Sequence, residues 1–121
     1  MKVALGLLLM SLPFSALAGE KIIGVGLVLK QENFKTFVQQ IIPNLPAQKD
    51  GTVKVADEVV GVRPFRGDDQ EYVPVEGLSL DQVVQLIRGE TPTLVGLEMA
   101  NKDGRYEVYL IRQEFEIPDH P

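Results

Sequence analysis

Few side chains in this 121-residue sequence are equipped to make or break a covalent bond. There is no cysteine, and the single histidine, His120, stands in the C-terminal tail. The serines are Ser11, Ser15 and Ser79. The first two lie in a segment that reads as a signal peptide. Ser79 stands where a helix cap belongs, with its hydroxyl engaged by a backbone amide. One capping serine and one terminal histidine do not make a nucleophile with its base. Asp68, Asp69, Glu71 and Glu76 cluster in a polar stretch. They lack the alternating acids, central glycine and distal glutamate of a calcium loop, so the stretch reads as solvated. Arg66-Gly67-Asp68 matches an adhesion tripeptide and is treated as incidental. The sequence predicts no catalytic residue, no metal site, no cofactor and no enzyme.

What remains is backbone chemistry. Gly24-Val25-Gly26, within KIIGVGLVLK, can turn amides toward an anion. A dinucleotide fingerprint would add a third glycine and then a helix. Here the loop runs directly into Leu27-Val28-Leu29-Lys30, which reads as a strand. A glycine loop feeding an edge strand suits an extended peptide whose carboxylate meets the loop amides.

The elements that must position this loop follow along the chain. Phe34 to Ile42 predicts a second strand, ended by Pro43, and PNLPAQKDG a turn holding one helical turn. VKVADEVVGV predicts a short strand, an Ala-Asp turn and a strand through Val62. Arg63 to Gly77 reads as a long loop with a brief strand at Tyr72 to Val75. Ser79 to Arg88 is the one convincing helix, with Ser79 as N-cap and Arg88-Gly89 as its close. Thr93 to Met99 and Tyr106 to Phe115 predict two final strands joined at Asn101-Lys102-Asp103-Gly104. The expected fold is mainly β (α+β), a partly open antiparallel barrel of five to six strands with one long and one short helix.

Lys2, the apolar run Val3 to Met10 and Ala16-Leu17-Ala18 predict a signal peptide over residues 1–18, cut after Ala18. The run is too short and too broken by Pro13 to anchor in a membrane. The mature domain is expected over 19–116, with 117–121 a tail, in the periplasm or secreted. Cleavage removes Lys2, one of 12 basic residues, leaving 11 against 17 acidic ones. That balance excludes nucleic acid as a partner, because neutralising phosphates needs a basic patch.

On the helix, Leu80, Val84 and Ile87 form one apolar stripe, and Val83 with Leu86 a neighbouring one. Periodicity alone leaves two readings open: a deeply buried helix, or one stripe in the core and one in a groove shared with the Leu27 strand. The glycine loop favours the groove. An extended peptide would pair with the strand, its terminal carboxylate on the amides of Val25, Gly26 and Leu27. Leu27 and Leu29, one pleat apart, would line the pocket with Val84 and Ile87.

At this point the sequence resembles a PDZ domain, of the type in bacterial carboxy-terminal processing (tail-specific) proteases. GVGLVL at 24–29, VKVADEVVGV at 53–62 and LSLDQVVQLIRG at 78–89 carry the resemblance, the last most specifically, over roughly Ile22 to Phe115. It implies that Gly24, Val25, Gly26 and Leu27 form a carboxylate-binding loop, and Leu29, Leu80, Val84 and Ile87 the peptide groove. Leu80 would read the ligand residue two before the terminus with an apolar preference. Ala56-Asp57 replaces the family's usual Gly-Asp turn, the 63–77 stretch is long, and the serine-lysine protease domain is missing. The implied function is an exported peptide-binding module for protein or peptide C-termini or unfolded segments, acting as adaptor or regulator of a periplasmic protease. The alternative is an assembly subunit of an envelope or secretion complex with its groove permanently occupied.

Overall fold

The computed structural model describes residues 21–65 and 71–117. Residues 1–18, expected as a signal peptide, and Arg66-Gly67-Asp68, Asp69 and His120 lie outside the described residues. Eight strands and two helices follow in order: β1 (Lys21–Gly24), β2 (Leu27–Glu32), β3 (Lys35–Ile41), α1 (Pro46–Asp50), β4 (Glu58–Arg63), β5 (Val73–Pro74), α2 (Leu80–Ile87), β6 (Leu94–Asn101), β7 (Gly104–Ile111) and β8 (Gln113–Glu116). All pairings are antiparallel. The main sheet runs β2-β3-β4-β6-β7 with β5 on β4, and β1 pairs with β8 in a second sheet. The mainly β architecture with one long and one short helix is the expected one. The sheets stay open, and the strands number eight among the described residues rather than five to six.

Three features account for the extra strands and shifted bounds. Lys21–Gly24, read as the approach to the glycine loop, pairs in register with Gln113–Glu116. The single strand expected from Tyr106 to Phe115 breaks at Arg112, whose N–H donates to the Thr93 carbonyl (2.7 Å) while its side chain turns inward. Phe34, expected as the first residue of a strand, instead occupies a left-handed turn position, and β3 starts at Lys35. One expected strand is missing: residues 53–55 form no ladder. Val53 is buried there, and Val38 bonds only the turn that follows, donating to Asp57 and accepting from Ala56 (2.9 and 2.8 Å).

That turn holds Ala56 at φ 79°, a region that costs any residue with a Cβ. Asp57 closes it by accepting the Lys54 N–H (3.1 Å) and the Tyr106 hydroxyl. Burial first, and the Asp57 hydrogen bond second, push the Tyr106 hydroxyl well above the usual phenol range.

The core collects β-branched and aliphatic side chains from every layer, among them Val38, Val59, Val62, Val83, Leu97 and Met99. Helix α2 covers it. Ser79 caps α2 as expected, accepting the Gln82 N–H (3.1 Å), while its own N–H donates to Gln82 Oε1 (2.8 Å). This reciprocal box satisfies two N-terminal donors and fixes where the helix begins. Among the described residues no helix is long and apolar enough to cross a membrane.

Candidate functional site

Strand β2 is the edge of the main sheet, bonded to β3 on one side only among the described residues. Helix α2 packs against β2, so the free side of this strand and the helix bound one groove. The register shows which backbone groups face it. The Ile42 N–H donates to the Gly26 carbonyl (2.9 Å), which makes Leu27–Ile41 a narrow, non-hydrogen-bonded pair. The Leu27 N–H therefore points away from β3, and by strand alternation so does that of Leu29. An incoming antiparallel strand would find these groups ready to pair.

The loop ahead of β2 is pinned through its carbonyls. Ala47 N–H donates to Val25 O (3.0 Å) and Ile42 N–H to Gly26 O. Among the described residues, the N–H groups of Val25 and Gly26 donate to no other backbone group. Gly26 sits at φ 88°, and a Cβ there would lie 2.6 Å from the Leu45 Cβ, so glycine is required twice over. Val25 is buried and anchors the loop in the core. At Gly24, a Cβ would meet Phe115 at 3.8 Å and the Arg88 stem at 3.9 Å. A basic side chain thus lies beside the start of the loop. Consecutive amides on a pinned glycine loop, next to an arginine, suit a carboxylate.

The expected groove residues fall in two environments. Leu29 is 2% exposed, and Val84 and Ile87 are 6% and 5% exposed in the same apolar cluster. Leu27 and Leu80 are half-buried and pack against that cluster from its margin. The two helical stripes are thus not divided between core and groove. Val83, Val84 and Ile87 all enter the core, and the groove floor and the core share side chains.

Two positioning residues escaped the sequence reading. Arg112, 2% exposed, donates from Nε to Ile87 O (2.8 Å) and from Nη2 to Leu86 O (3.3 Å) and Pro64 O (3.0 Å). Its Nη1 donates to Leu94 O and Thr93 Oγ1 (both 2.9 Å). The planar guanidinium thereby holds the last turn of α2, where helix carbonyls lack intrahelical partners. Gly89 makes room for it, since a Cβ would sit 2.7 Å from Arg112 Nε. At the other end, Gln31 on β2 reaches across to Leu78 O (2.8 Å) and Thr36 Oγ1 (3.2 Å). The sequence did carry a signal for Arg112: Tyr106, Val108, Leu110 and Arg112 share one strand parity, so the arginine stands at an inward position.

Known proteins share this arrangement. The chain is 29% identical over 98 residues to the tail-specific protease of Haemophilus influenzae, covering 79% of this chain but only 14% of that protease. The crystal structure of the PDZ domain of the carboxy-terminal protease from Vibrio cholerae, in complex with peptide, superposes with a TM-score of 0.72. Its identity is 27%, over 81% of this chain and 100% of that one. The photosystem II D1 C-terminal processing protease gives a TM-score of 0.66 at 26% identity, over 83% of this chain and 25% of that one. The chain thus spans a quarter or less of the length of these two proteases. The PDZ domain profile matches residues 15–98, more than half of the sequence. With its edge strand, facing helix and glycine loop, the chain belongs to the PDZ domain family.

Proposed function

We propose that this PDZ domain binds the C-terminus of a partner protein as an added strand along β2, with the terminal carboxylate on the amides of Val25, Gly26 and Leu27. The observation that carries this reading is the edge of β2, whose outward N–H groups face α2 and continue from loop amides that have no backbone acceptor among the described residues. The peptide complex of the Vibrio cholerae domain supports it by similarity. Phe115 and Glu116, the start of the FEIPDHP stretch that is a candidate self-ligand by sequence, pair with β1 rather than β2.

Charge-assisted bonds to the terminus contribute about 1.5–3 kcal/mol each. Amidating a bound peptide should therefore weaken it tenfold or more, about 1.4 kcal/mol per decade. Paired calorimetric titrations of the free-acid and amidated peptide check this. Equal affinities would end the carboxylate reading while leaving strand addition in place.

The same proposal places the domain outside the cytoplasm as adaptor or regulator of a periplasmic protease. Lys2, the apolar run and Ala16-Leu17-Ala18 support export. N-terminal sequencing of periplasmic material should then start at Gly19; an intact Met1 on membrane-bound protein would rule the cleavage out.

A further inference from the structure

Strand β7 ends the main sheet on the side opposite β2, and it is bonded to β6 alone among the described residues. Its register shows which backbone groups are left over. The Arg112 N–H donates to the Thr93 carbonyl (2.7 Å), one step beyond the Leu94–Ile111 pair. Thr93 and Arg112 thus stand as a hydrogen-bonded pair. By alternation so do Leu110–Val95, Val108–Leu97 and Tyr106–Met99. The N–H and C=O groups of Arg105, Glu107, Tyr109 and Ile111 therefore point away from β6. All four residues are exposed. Such a row is a template for another strand.

The charges on this edge are unevenly matched within one chain. Glu98 and Glu107 stand directly opposite each other across β6 and β7. Like charges at such a site are destabilising. Arg105 relieves only one of them, donating from Nη1 to Glu98 Oε2 (3.2 Å). Glu107 accepts the Tyr109 hydroxyl (3.3 Å) and pairs with no cation among the described residues. A carboxylate without a cation and a strand without a neighbour thus occur at the same place.

One occupant supplies both: β7 of a second copy. A two-fold axis through Tyr106 sets two β7 strands antiparallel, with Arg105 of each copy opposite Glu107 of the other. The parity agrees, because these are residues whose backbone groups face outward and can bond directly across the axis. We propose that two copies associate through β7 in this register, closing two reciprocal Arg105–Glu107 ion pairs and continuing the sheet across the axis. Because β2 is the opposite edge, pairing leaves it open in both copies. The dimer then presents two grooves, with the gain in avidity that linked sites give. The association itself does not depend on what the grooves bind.

The test is sedimentation equilibrium of the protein from about 1 μM to about 1 mM, alongside charge-reversed variants. The wild type should dimerise within this range. Arg105→Glu sets carboxylate against carboxylate across the axis, and Glu107→Arg sets guanidinium against guanidinium. Each single variant should dimerise about tenfold more weakly or worse. Mixing the two single variants should restore association as a heterodimer. The double variant Arg105→Glu/Glu107→Arg should dimerise by itself. Circular dichroism confirms that each variant is folded, and a merely damaged fold would not regain association on mixing. A wild type that stays monomeric at the highest concentration overturns the proposal. So does a dimer that both single variants keep, or a mixture no more associated than its parts.

Discussion

The two ends of α2 are held by different physics. At the N-terminal end the bonds are neutral and at least partly exposed: the Ser79–Gln82 box, Gln31 to Leu78 O, and Gly77 to Phe34 O. Each is a net contribution of about 0.5–1.5 kcal/mol, because water competes for the same groups. At the C-terminal end a buried guanidinium donates to two helix carbonyls and to three acceptors on neighbouring segments. Such charge-assisted bonds are stronger, and low local dielectric raises what is lost if one partner disappears. The contrast teaches that charge and burial, more than the number of bonds, decide how firmly a groove wall stands. The helix end beside the glycine loop is therefore the more firmly held of the two.

Removing the clamp should break this asymmetry most. Arg112→Met keeps an apolar side chain but leaves the carbonyls of Leu86, Ile87, Leu94 and Pro64 without that donor. A loss of about 3–5 kcal/mol in urea denaturation is expected. Arg112→Lys should recover only part of it, since a compact ammonium cannot reproduce the planar fork. A wild-type midpoint in Arg112→Met would show that the C-terminal end is held by packing alone.

The smaller effect belongs to the other end. Ser79→Ala removes one cap bond and should cost about 1 kcal/mol by the same measurement. Amide exchange sharpens the comparison: protection should fall mainly in the first turn of α2, with the last turn unchanged. Equal losses in Arg112→Met and Ser79→Ala would erase the distinction between the ends.

Much of the binding frame was legible in the sequence because it rests on local rules. The Ser79 cap, the apolar helix, the Asp103-Gly104 hairpin and the strand after Gly26 each depend on neighbours within a few positions. Those rules, with the resemblance of three short segments, already pointed to the family. The missed features depend on distant partners. Nothing near Lys21–Gly24 in the chain announces a pairing with Gln113–Glu116. Residues 53–55 alternate like a strand, but no neighbouring strand reaches them, so Val53 is buried without a ladder.

The sequence by itself determined which residues are apolar, where the helix starts and where glycine frees the backbone, because propensity, capping and φ preference act over a few residues. Only the tertiary structure decided that β1 pairs with β8 and that Arg112 locks the helix end. Those facts join residues 48 positions apart, as in the bond from Arg112 to Pro64. Such contacts arise from burial shared by the whole chain, which no local window of sequence contains.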